Sequence, residues 1–248
     1  MNLQIGTLLV IFAAFAAGSF IKGATGAGLP QVAIPVMATF LGVEAAVVIM
    51  AIPGIATNTW LLWTYRDQFG RTRDLPAILV LGAVGAILGT ILLDTLDENV
   101  LAFIVAGVVS LYAIVFFAHP EFGLSRELTR YSAPPVGLAS GVLQGATGMS
   151  GPLIATYLHS YRMQKEAYVL SITTVFQVFA LVQAITLLSV GLYSTERLVV
   201  SVLSLIPTML VLPLGARFAR RLSRRTFDYI VLGLLVASAI KLVYDALS

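Results

Sequence analysis

Cysteine is absent from the 248-residue chain, which excludes disulfides, thiolate metal sites and cysteine nucleophiles. Histidine is almost absent too. The two present, His119 and His159, fall near expected loops without the spacing of metal ligands, so neither a metal nor a cofactor is expected. Charge is also scarce: 11% of residues are Asp, Glu, Lys or Arg, against roughly 25% in soluble domains. The net charge of +3 is spread over short loops, which argues against a nucleic-acid partner. No Gly-x-x-x-x-Gly-Lys-Ser/Thr sequence occurs, so ATP could act only through a partner. Met1-Asn2-Leu3-Gln4 carries no basic residue ahead of the first apolar run, so that run is expected to stay in the chain rather than be removed as a leader.

Apolar residues make up 58% of the chain. Apolar stretches of about 20 residues read as membrane-spanning helices, because lipid offers no partner to an open backbone polar group. Spans are expected at Ile5–Ile21, Ala45–Tyr65, Leu75–Leu93, Val100–Ala118, Val169–Val190, Leu198–Gly215 and Phe227–Leu247. The fold class is therefore an all-α integral membrane protein in contact with a lipid bilayer. Alternating barrel strands are absent from the pattern.

Two breaks interrupt these runs in matching fashion. Gly23-Ala24-Thr25-Gly26 recurs 122 residues later as Gly145-Ala146-Thr147-Gly148, and prolines follow at Pro30 and Pro152. The same offset pairs Lys22 with Gln144 and Glu44-Ala45 with Glu166-Ala167. Glycine-rich breaks at corresponding positions in two halves of a hydrophobic chain point to a duplicated unit whose breaks form a transport site.

Loop charges orient the halves. Lys and Arg keep loops in the cytoplasm, which places Arg66–Arg73 and the five-arginine segment Arg217–Arg225 inside. The acidic loop Asp94–Asn99 then lies outside, and Trp60, Trp63 and Tyr65 fit an interfacial aromatic belt. Arg126 and Arg130 place the connector inside, as do Arg162 and Lys165 for the loop after the second break. Ala133 to Gln144 is only 12 residues, about 18 Å of helix, too short for a bilayer core of about 30 Å. A re-entrant hairpin with its tip at Gly145–Gly151 is expected there. Two inverted repeats follow, each a broken hairpin plus three transmembrane helices: residues 1–118, a cytoplasmic connector at 119–132, and 133–248. Both termini are expected outside.

Glycine frees the backbone and proline suits the first turn of a new helix, so both breaks read as helix–loop–helix tips. Helices restarting near Leu29 and Gly151 would aim unpaired N–H groups at the tips, which suits an anion. Lys22, beside the first tip, is costly at membrane depth unless a partner, water or substrate meets it. Snorkelling to an interface is the ordinary alternative. The candidate binding residues are thus Lys22, Gly23, Thr25, Gly26 and Gly28 in the first half and Gln144, Gly145, Thr147, Gly148, Ser150 and Gly151 in the second. For the glycines, close helix packing is the ordinary alternative. Asn58, with Thr57 after Pro53-Gly54, and Gln177, on one face with Thr173 and Thr174, are midspan candidates whose ordinary role is interhelical hydrogen bonding. Gln183 falls on another face, and Glu44 and Glu166 lie at span ends.

The duplicated segments Gly23–Pro30 and Gly145–Pro152, in a chain of this size and hydropathy, resemble the TauE/SafE family of sulfite and organosulfonate transporters, also called the toluene sulfonate uptake permease family. The run Gly145-Ala146-Thr147-Gly148-Met149-Ser150-Gly151-Pro152 is the most typical part. In the first half the chain reads Gly26-Ala27-Gly28-Leu29-Pro30, where family members often have several consecutive glycines. The resemblance implies secondary transport of small sulfur-containing or carboxylate anions across the bacterial cytoplasmic (inner) membrane, in either direction. Coupling to a proton is a further implication, and a homodimer is compatible with it.

Two other classes compete. An anion channel of the same fold is the stronger, because paired broken hairpins also line selective pores. The weaker is an intramembrane serine protease, since Gly148-Met149-Ser150-Gly151 matches the Gly-x-Ser-Gly of rhomboid proteases. A serine nucleophile needs a base within reach, and no histidine lies inside a later span, so an enzyme is not expected.

Overall fold

The computed structural model describes residues 5–71, 75–107, 126–159, 161 and 163–218, and every regular element among them is helical. The first half holds α1 (Ile5–Thr25), α2 (Leu29–Leu41), α3 (Val43–Thr64), a 3-10 turn (Arg66–Arg71) and α4 (Leu75–Thr95). A further helix, α5, covers Glu98–Gly107. The second half holds α6 (Arg126–Thr147), α7 (Gly151–His159), α8 (Lys165–Ser189), α9 (Thr195–Leu203) and α10 (Leu205–Phe218). Among the described residues, five helical stretches are long and apolar enough to cross a membrane: α1, α3, α4, α8, and α9 with α10 taken together. Large apolar side chains such as Val80 and Ile87 on α4 and Ile185 and Leu188 on α8 point outward. In water such a surface would aggregate; in a bilayer it is the lipid face. The expected span Phe227–Leu247 and most of Val100–Ala118 lie outside the described residues.

The duplication is visible in the element boundaries. α1 and α6 both end on threonine, α2 and α7 start at Leu29 and Gly151, and α3 and α8 start at Val43 and Lys165, each pair 122 residues apart. One sequence expectation needs correction. The arm before the second break is not 12 residues but the 22-residue α6, about 33 Å long. It begins by Arg126, inside the expected connector. Hydropathy hid this turn because Arg126–Tyr131 is polar and the interior Pro134 and Pro135 look like a helix boundary. In both copies the short arm is the one after the break, with α2 of 13 residues and α7 of nine.

Packing exchanges partners between the halves: α1 lies along α10, α6 lies along α4, and α3 and α8 pack together. Glycine makes these approaches possible. A Cβ on Gly23 would overlap the Leu212 carbonyl oxygen, and one on Gly145 would overlap the Ala86 carbonyl oxygen. Backbones this close gain dispersion contacts that lipid cannot offer. Within α3, Pro53 has no N–H to give the Ile49 carbonyl, and Ser201 Oγ of α9 donates to that oxygen at 2.7 Å. At one end of the bundle, the Val43 N–H that opens α3 donates to the Glu98 carboxylate, and Arg197 pairs with Glu44 at 2.7 Å. An anionic group at a helix start is favoured by the helix dipole.

Candidate functional site

Each break is closed by the same backbone device. Gly26 and Gly148 adopt φ of 82° and 68°, a left-handed conformation that glycine enters without strain. Their N–H groups donate to Lys22 O and Gln144 O, both at 2.7 Å, ending α1 and α6 with a left-handed cap. The threonines just before them serve the turn. Thr25 Oγ1 accepts from Ala27 N at 3.2 Å, and Thr147 Oγ1 accepts from Met149 N at 3.3 Å. Across the molecule, Gly26 rests on Val169 of α8 and Gly148 faces Val47 of α3, residues that are themselves 122 apart.

These caps place Lys22 and Gln144 in the last turn of their helices, facing the interior. Lys22 is 2% exposed, and its Nζ donates to Asn58 Oδ1 at 2.5 Å. Among the described residues no carboxylate pairs with it. Snorkelling is therefore not its role. Gln144 is held differently: its Nε2 donates to Gln183 Oε1 at 3.0 Å, and its Oε1 accepts from Ser150 Oγ at 2.8 Å. Gln183 Nε2 donates back to the carbonyl oxygens of Gln144 at 2.7 Å and Gly145 at 3.1 Å. Ser150 thus gives its proton to a carboxamide oxygen, which is no general base.

Between the two arrangements lies a cavity of about 30 Å³, room for roughly two water-sized groups. Of the residues anticipated from sequence, Lys22, Asn58, Gln144, Gly148, Ser150 and Gly151 line it. The others do not. Gly23 and Gly145 are contact points for α10 and α4, Thr25 and Thr147 hold the breaks, and Gly26 and Gly28 pack on Val169 and Ile21. Gln177 turns aside and donates to Thr59 Oγ1 at 3.3 Å.

Two polar side chains that line the cavity are not among the candidates from sequence, Gln31 and Gln183. Gln183 shares a helical face with Phe176 and Ala180, which also line the cavity, at spacings of seven and three residues. The face carrying Thr173 and Gln177 holds more polar groups, yet it is the neighbouring one and does not line the cavity. Gln31 stands alone among apolar residues directly after Pro30, and that isolation was its available signal.

The description of the sulfite exporter TauE/SafE family matches residues 10–242, nearly the whole chain. The chain belongs to that family. No curated protein and no solved structure matches it. Membership makes this TauE/SafE chain a multi-pass membrane permease, in keeping with its apolar helices. The family is one of transporters, not enzymes.

Proposed function

We propose that this TauE/SafE chain is a secondary transporter that carries a small anion, sulfite, an organosulfonate or a related sulfur-containing or carboxylate anion, by alternating access across the bacterial cytoplasmic membrane. The observation that carries the reading is Lys22: a buried cation at the edge of a cavity, with one neutral hydrogen-bond partner and no carboxylate among the described residues. A buried charge left in that state is expensive, and a bound anion removes the expense. The cavity lies where the two breaks meet, between units that exchange packing partners as two inverted repeats would. Its small size, about 30 Å³, means that it must widen to take such an anion, as the rocking of one repeat against the other would allow. Among the described residues Lys22 is the one ionisable side chain that lines the cavity.

Counterflow in proteoliposomes tests the reading. Vesicles loaded with unlabelled sulfite should accumulate labelled sulfite transiently. Single-channel current without counterflow would replace the transporter with an anion channel.

A further inference from the structure

Among the polar groups that line the cavity, one acceptor does not balance. Gln144, Ser150 and Gln183 spend their side-chain groups on one another and on backbone. Lys22 uses one of its three donors on Asn58 Oδ1, and the Asn58 amide nitrogen is a further donor. Gln31, in the first turn of α2, is 8% exposed and lines the same cavity. Its amide nitrogen lies against Gly151, where any Cβ would collide with it. Its Oε1 is buried and makes no hydrogen bond among the described residues. A buried acceptor left unmade forfeits its hydration with no return.

The charge inventory is equally simple. Lys22 brings one positive charge, and no other ionisable side chain lines the cavity among the described residues. A dianion would leave one negative charge buried without a partner. An anion lacking a donor would leave Gln31 Oε1 unpaired, and sites with a buried polar group discriminate strongly against ligands that cannot meet it.

We infer that the cavity is specific for a monoanion bearing its own hydrogen-bond donor: Lys22 takes the charge, and Gln31 Oε1 accepts from a hydroxyl or amine of the substrate. This deepens the anion-transport reading and rests on it. Gln31 becomes the residue that selects within the class of small sulfonates and oxyanions.

Equilibrium binding to the purified full chain tests the inference with hydroxymethanesulfonate, ethanesulfonate and sulfate at one pH. The first two are monoanions with the same number of heavy atoms, and only the first has a hydroxyl. The wild-type chain should prefer hydroxymethanesulfonate by about fivefold or more, the worth of one buried hydrogen bond, and should bind sulfate more weakly than either. In Gln31→Leu the ratio of the two monoanion affinities should fall to about one. Equal wild-type binding of the two, sulfate binding as tight as theirs, or an unchanged ratio in Gln31→Leu would each overturn the inference. If that variant does not fold, the wild-type ratio decides by itself. Failure of all three anions to bind would instead remove the anion-transport reading, and the inference with it.

Discussion

Gln183 holds Gln144 at both ends, accepting from its side-chain nitrogen at 3.0 Å and donating to its main-chain oxygen at 2.7 Å. The second-half counterpart of Lys22 is therefore not a free hydrogen-bonding arm. It is locked to α8, as Lys22 is tied to α3 through Asn58. The two halves share a geometry but differ in charge. One side of the cavity carries an ionisable amine and the other a closed network of neutral amides.

Removing Gln183 should hurt far more than removing Gln177. Gln183 is 3% exposed, and Gln183→Leu strands the groups of Gln144 that it satisfies, a loss of about 1–3 kcal/mol. Gln177→Leu breaks one 3.3 Å hydrogen bond outside the cavity and should leave anion affinity unchanged. Thermal melting in detergent, together with sulfite titration, reads both effects.

Lys22→Met keeps the length of the side chain and deletes its charge. Sulfite affinity should drop roughly 10- to 100-fold, the worth of a hydrogen bond to a charged group. The melting temperature without ligand should not fall, because a buried charge with a single neutral partner costs the fold more than an apolar chain of similar volume. Isothermal titration and a thermal melt of the same preparation check the two halves of this expectation. A variant that binds sulfite like the parent removes Lys22 from the site.

Close packing of α1 on α10 makes a sharper stability prediction. Gly23→Ala drives a methyl group into the Leu212 carbonyl and should cost about 1–3 kcal/mol. Gly6→Ala, with no atom within 4 Å of the new carbon, should change stability by less than about 0.5 kcal/mol. Parallel melts of the two variants decide whether Gly23 is a packing residue, as its surroundings indicate, or a ligand contact.

Several features were legible in the residues. The all-helical membrane class followed from apolar runs that can satisfy their backbone only as helices. The two breaks followed from glycines and prolines at a fixed offset, and Gly26 and Gly148 do adopt the left-handed turn that such residues permit. Lys22 was legible because a lysine in an apolar segment has few explanations. The start of the second hairpin's first arm is not legible in hydropathy, because Arg126–Tyr131 is polar and Pro134 and Pro135 follow it inside the helix.

By itself, then, the sequence determined the helical class, where the two glycine breaks fall and which positions correspond, because backbone freedom and hydropathy are local properties. The tertiary structure alone decided which side chains meet. Gln144 and Gln183 are 39 residues apart, and Gln31 meets Gly151 across the two halves. Such meetings depend on how α3, α6 and α8 rotate about their own axes. A turn of about 100° per residue separates a cavity-facing glutamine from one that faces a neighbouring helix, and packing between helices sets that rotation.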